Sequence, residues 1–116
     1  MAEAFTQAAY AMVAVVTELQ LIEPRQMISI ECLEEDRELL LVDWLNALIY
    51  QMATRRMLFS RIELEQDKQR LRARIWGETV DPGRHHPSVE VKGATYTELS
   101  VREENGLWMA QCVVDV

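Results

Sequence analysis

The sequence has little of several things, and each shortage narrows what the chain can do. Cysteine occurs twice in 116 residues, at Cys32 and Cys112, with neither CxxC nor zinc-finger spacing. In a reducing compartment both are expected to sit as small core hydrophobes. Basic residues are outnumbered, 12 Lys and Arg against 19 Asp and Glu, for a net charge of -7 and a pI near 4.8. Nonspecific nucleic-acid binding needs a basic surface that neutralises phosphates, so any link to RNA is expected to run through a protein partner. No apolar run approaches the roughly 20 residues needed to cross a bilayer. The N-terminus has no basic segment followed by a cleavable apolar stretch, so the expectation is a cytoplasmic protein without membrane contact. Glycine is scarce, with four in the chain and none forming a Gly-rich phosphate loop ahead of a helix. There is also no recognisable Ser or Cys nucleophile set with His and Asp.

Apolar residues are plentiful, at 49% of a chain of one-domain length, and predict a single core over residues 1–116. From Ala2 to Leu19, Phe5, Ala8, Ala9, Met12, Val15, Val16 and Leu19 recur at helical spacing. Met27, Ile28 and Ile30 suggest a short strand ending near Cys32, and Glu34, Glu35 and Asp36 then supply a helix start. The second helix, roughly Asp36 to Arg56, is apolar around most of its circumference and must be largely buried, with Trp44 or its neighbours Leu41, Leu45 and Leu48 in the core. One polar stripe, Asp43, Asn46, Tyr50 and Thr54, reads either as a solvent-facing edge or as a functional groove.

After Met57 the period becomes two. A turn over Gln66–Gln69 would set Glu65 opposite Arg70, Glu63 opposite Arg72 and Phe59 opposite Trp76, so the row of arginines reads as a neutralised, solvated sheet face. Asn105-Gly106 predicts a two-residue hairpin turn with positive φ at both positions. Its register pairs Leu99 with Cys112 and Val101 with Ala110. Extended further, it sets Thr97 opposite Val114 and Tyr96 opposite Asp115. Asp115, the Val116 carbonyl and the terminal carboxylate could then gather as hard oxygen ligands, or the end could fray with a solvated Asp. Together these elements predict an α+β fold, two helices packed on one face of a largely antiparallel sheet.

The most distinctive stretch is GETVDPGRHHPSVEVKGATY, Gly77 to Tyr96. Arg84, His85 and Lys92 offer donors suited to phosphate or carboxylate, while Asp81, Glu90 and Asp115 offer acceptors for a cation. The adjacent His85 and His86 could also be a transition-metal pair, although neighbours in an extended segment point to opposite sides.

That stretch, together with LLVDWLNALIY, the Asn-Gly hairpin with Trp108 and the ending VVDV, resembles the archease family over nearly the whole chain. The resemblance implies an accessory protein, not an enzyme: an activator of the GTP-dependent RNA ligase of tRNA splicing and RNA repair. Such an activator helps the ligase acquire its guanylyl group and turn over, touching RNA only indirectly. Asp81, Arg84, His85, Glu90 and Lys92 match the family loop and strand and are expected to dock on the ligase. Asp115 matches an acid that, with the final carbonyl, here Val116, binds a divalent cation, expected to be Ca²⁺. His86, Gly93 and Thr97 depart from the family pattern. The family's N-terminal strand, whose His-Thr-Ala-Asp segment supplies another ligand, has no counterpart before Met1, so metal binding is expected to be weak or absent in this chain. The residues leave two other functions open: a metal-dependent phosphoryl-transfer or hydrolytic enzyme using Asp81, His85 and Asp115, and a chaperone-like role with RNA-modifying enzymes.

Overall fold

A computed structural model describes residues 1–67 and 69–116. Helix α1 (Ala2–Val16) leads through a 3-10 turn (Leu19–Leu21) into β1 (Gln26–Leu33), followed by α2 (Arg37–Arg55), β2 (Met57–Gln66) and β3 (Arg70–Thr79). A one-turn helix α3 (Pro82–His85) then precedes four shorter strands, β4 (Gly93–Ala94), β5 (Ser100–Glu104), β6 (Leu107–Gln111) and β7 (Val114–Asp115). The architecture is α+β with antiparallel pairing throughout. The strands divide into a three-stranded sheet of order β1-β3-β2 and two two-stranded ladders, β4-β7 and β5-β6. Among the described residues no helix is long and apolar enough to cross a membrane.

α2 begins where the acidic cluster predicts. The Asp36 carboxylate accepts hydrogen bonds from the amides of Glu38 (2.8 Å) and Leu39 (3.1 Å), satisfying donors that a helix start leaves without partners. Trp44, Leu41, Leu45 and Leu48 are all buried, and the Trp44 indole N–H donates to the Phe5 carbonyl at 3.0 Å, tying α2 to α1. The helices pack against the inward face of the main sheet, where Leu71, Ala73 and Ile75 of central β3 alternate with exposed Arg70, Arg72 and Arg74. Cys32 belongs to this core; burial, with the negative charges of Asp43 and Glu31, pushes its thiol up to about 11.

Two expected registers are corrected. Glu65 lies opposite Arg72, not Arg70; Glu63 lies opposite Arg74, not Arg72; and Phe59 lies opposite Gly77, not Trp76. The two glutamates are displaced by two positions, which keeps them on their expected face, and Phe59 by one. The displacement of two is set at the hairpin end, where Gln66 pairs with Leu71 and the Asp67 amide donates to the Arg70 carbonyl at 3.0 Å; a bulge between Phe59 and Arg61 then changes the register by one, with the amide of Ile62 just beyond it donating to the Tyr10 hydroxyl at 2.8 Å. The turn expected over Gln66–Gln69 contains Lys68, which lies outside the described residues. Glutamates nevertheless partner the arginine row: Glu31 lies 3.4 Å from Arg72 and 3.9 Å from Arg70, and Glu63 bridges Arg61 and Arg74. Arg61 and Arg74 also lie over the Trp76 ring, 4.6 and 5.6 Å from its centroid.

The Asn105-Gly106 turn has positive φ at both residues, 52° and 79°, and Val101 pairs with Ala110 as expected. The ladder does not continue to the chain end. A turn at Thr97–Glu98, with Glu98 at φ 52°, interrupts it, so Asp115 pairs with Gly93 instead of Tyr96, and Val114 with Ala94 instead of Thr97.

Gly77 is where the bulge and the main sheet meet. A Cβ there would stand 1.9 Å from the Leu58 carbonyl oxygen and 2.8 Å from the Phe59 Cα, both backbone atoms with little room to yield. Gly77→Ala is therefore expected to destabilise the fold by at least ~1–3 kcal/mol, the usual cost of overpacking. Urea denaturation checks this, and an unchanged midpoint would contradict it.

Candidate functional site

The loop that follows β3 is organised by one carboxylate. Glu78, at the end of β3, is only 5% exposed, and burying a charge is costly unless its lone pairs are matched by donors. Four are. Arg84 binds it through both terminal nitrogens, at 2.9 and 2.6 Å, the His85 ring Nε2 lies 2.9 Å away, and the Glu23 amide donates at 2.7 Å. The Arg84 guanidinium, with the Glu23 amide and His85 assisting, holds the Glu78 carboxyl well below the usual carboxylate range despite burial. Arg84 also donates to the Leu21 carbonyl at 3.0 Å, so the node joins β3, the segment after α1 and the loop itself.

The sequence around the node folds to serve it. Asp81 caps α3, accepting from the Gly83 amide at 3.1 Å, with Pro82 in the first helical turn, where a missing N–H costs nothing. The single turn delivers Arg84 and His85 to Glu78. His85 is fully buried; its Nδ1 accepts from the Asp81 amide at 2.8 Å, which puts the ring proton on Nε2, facing Glu78. Both ring nitrogens are thus spoken for. His86 ends the turn in the left-handed region, at φ 49°, and redirects the chain into an extended segment.

That segment is pinned at three further places. The Thr17 hydroxyl donates to the His85 carbonyl. The Ser88 amide donates to the Val16 carbonyl at 2.9 Å and its hydroxyl reaches the Val15 and Val16 carbonyls, both at 3.2 Å, capping the end of α1. Val91 enters the core, and the Lys92 amide donates to the Asp115 carbonyl at 2.7 Å. The side chains of Asp81, Glu90 and Lys92 remain exposed on this pinned backbone, while Arg84 is partly exposed and His85 is internal.

Glu78 received no role from the sequence. Its signal was a carboxylate at an inward strand end, six and seven residues before an Arg-His pair. The polar stripe of α2 is exposed along its length, yet Asn46 does more than face solvent, since its Oδ1 accepts from the Ala94 amide at 2.8 Å and ties α2 to β4.

Asp115 and Val116 lie exposed at the end of the β4-β7 ladder, beside Lys92 in the pairing. Among the described residues no three His, Cys, Asp or Glu side chains gather there or elsewhere in a metal-binding cluster. One carboxylate and a chain end fall short of the six to eight oxygens Ca²⁺ takes, so the residues present do not by themselves fit that ion.

Glu78 makes stability depend on pH with a definite sign. Its folded pKa lies well below its ordinary value of 4.5, so its contribution is complete above that pH and is lost progressively as the pH falls from there toward the folded value, because the unfolded chain takes up the proton first. Glu78→Gln is expected to be less stable at neutral pH and to lose less stability than wild type between pH 5 and pH 3. Thermal melts across that range check it, and parallel curves for the two proteins would contradict it.

The chain matches the Archease protein family (MTH1598/TM1083) over residues 1–116. It is 36% identical over 114 residues to protein archease of Methanopyrus kandleri, covering 95% of this chain and 81% of that protein. It is 37% identical over 119 residues to protein archease of Pyrococcus furiosus, covering 98% and 84%. The solution structure of protein 1598 of Methanobacterium thermoautotrophicum superposes with a TM-score of 0.76 at 29% identity, covering 97% of this chain and 82% of that one. A crystal structure from Thermotoga maritima, described as an archease and possible chaperone, shares the fold at 14% identity with a TM-score of 0.62, covering 95% and 79%. With its whole length matched by the family and its fold shared with solved relatives, this chain belongs to the archease family.

Proposed function

We propose that this chain is an accessory protein that activates a GTP-dependent RNA ligase in tRNA splicing or RNA repair, docking on it through the 81–92 loop. The observation that carries the reading is a division of labour within the loop. Glu78, Arg84 and His85 are consumed in holding its shape, while Asp81, Glu90 and Lys92 project from a backbone pinned at its flanks. A general base needs a nitrogen or oxygen able to reach a substrate proton, and His85 has both ring nitrogens engaged and no exposure. A rigid, mixed-charge protrusion suits insertion beside a ligase site that holds nucleotide and metal. There it would favour the conformation in which the ligase histidine attacks GTP, and the joining chemistry would remain the ligase's own. The net charge of -7 fits contact with RNA through the ligase instead of direct binding.

The closest test uses Lys92, whose amide is structural and whose side chain is exposed. Lys92→Ala keeps the backbone bond to Asp115 and, as a surface change, is expected to alter stability by no more than about 0.5 kcal/mol. It is expected to lower stimulation of ligase guanylylation by about tenfold, the effect of losing roughly 1.4 kcal/mol at the interface. Radiolabelled GTP transfer to the ligase, with and without the variant, measures this. Full stimulation by a folded Lys92→Ala protein would remove Lys92 from the contact, and stimulation by neither variant nor wild type would refute the activator reading.

A further inference from the structure

Strand β4 pairs with β7 along one edge, and a side chain of α2 serves the other. Toward β7, the Lys92 amide donates to the Asp115 carbonyl at 2.7 Å and the Thr95 amide to the Val113 carbonyl at 2.9 Å. The Ala94 amide, between them, is donated instead to the Asn46 Oδ1 of α2, at 2.8 Å. That oxygen does for β4 what the carbonyl of a second neighbouring strand would do. It lies close to both residues of the strand, since a Cβ on Gly93 would stand 3.8 Å from it. Two-stranded ladders are marginal by themselves, and this one has two residues per strand, so its placement depends on what ties it to the rest of the protein. Asn46 is a fixed point for that purpose, because Leu45 and Leu48 on either side of it are in the core. Thr54, further along the same polar stripe, only bonds back to the Tyr50 carbonyl within the helix.

We propose that Asn46 is a positioning residue for the ligase contact: its side-chain oxygen fixes β4, and through β4 the direction in which the exposed Lys92 side chain leaves the protein. This rests on the activator role proposed above. Lys92 stands between two anchors, with Val91 buried in the core on one side and Ala94 held by Asn46 on the other. Removing the second anchor leaves β4 tied through β7 alone, and Lys92 then samples directions that the ligase must narrow on binding. That ordering cost falls on affinity. The maximal effect, reached once the ligase has ordered the segment, is retained. Because the Asn46 bond is exposed, water can take its place, and its loss changes global stability little. The contact uses one acceptor and no donor from Asn46, so an aspartate oxygen can replace it. The added charge would face the exposed Asp43 one turn back on the helix, a repulsion that salt screens.

Ligase guanylylation, followed against the concentration of wild type, Asn46→Leu, Asn46→Ala and Asn46→Asp at about 0.15 M salt, tests this together with amide exchange at Ala94. Asn46→Leu and Asn46→Ala are expected to raise the half-stimulating concentration about fivefold, the factor that one ordinary hydrogen bond supplies, with the maximum unchanged. Both should lose protection at Ala94 and keep the wild-type melting temperature. Asn46→Asp is expected to stay near wild type in stimulation and in Ala94 exchange, a rescue that a change of bulk or helix propensity would not produce. The two acceptor-free variants serve as checks on each other should one fold poorly. Wild-type stimulation curves for both of them would overturn the inference alone, as would an Asn46→Asp protein as weak as Asn46→Leu, or a loss of stimulation that follows a fall in melting temperature. Absence of stimulation by wild type itself, at every concentration, would refute the activator role and this inference with it.

Discussion

The geometry of the site depends on burying one carboxylate. Glu78 sits where β3 leaves the sheet, and its negative charge is tolerable there only because Arg84, His85 and the Glu23 amide converge on it. That requirement propagates outward. Arg84 and His85 can reach Glu78 only if the chain makes one helical turn, the turn needs Asp81 as its cap, and the turn's exit through His86 sets the course of the exposed segment toward Ser88. Ser88 in turn closes the carbonyl end of α1, so a helix of the core and the candidate docking loop share hydrogen bonds. Removing a partner from such a network leaves the remaining charge unmatched, and the consequence falls on the loop as a whole.

Most of the architecture could be read from periodicity. The helical recurrence of Phe5, Ala9, Met12 and Val16, the all-round apolarity of Leu40 to Ile49, and the alternation of Leu71, Ala73 and Ile75 each determine which face is buried, because burial selects the period. Asn105-Gly106 gave the hairpin for a local reason, positive φ at both residues. Registers fared less well. The bulge after Phe59 and the turn at Glu98 each insert residues that alternation cannot register, and the slip of two at Glu63 and Glu65, set at the hairpin end, leaves their inside-outside pattern intact. The site was legible as a group of residues and not as an arrangement. Arg84 and His85 look alike in sequence as available donors, and only the fold shows that they turn inward to a glutamate already in the strand.

Charge is distributed to match. On the outer face of the main sheet, Arg61, Arg70, Arg72 and Arg74 share Glu31 and Glu63 between them, leaving little of the unmatched positive charge that a phosphate backbone would seek. Near the loop, by contrast, Glu90, Lys92 and Asp115 project into solvent from the two sides of the β4-β7 ladder and the segment leading to it. A partner that recognises this protein through charge therefore meets a mixed cluster held at a fixed spacing by backbone hydrogen bonds. Such preorganisation lowers the ordering cost of association.

The central claim is that Glu78 holds the loop's shape from beneath. Amide hydrogen exchange, compared between wild type and Glu78→Gln at neutral pH, addresses it most directly. The expected result is loss of protection at Asp81, His85 and Ser88, whose amides bond to His85 Nδ1, the Asp81 carbonyl and the Val16 carbonyl, while Ala73 and Ile75 in β3 keep theirs. Unchanged protection at those three loop amides in a folded Glu78→Gln protein would contradict it, and would show that the loop keeps its shape without the buried charge.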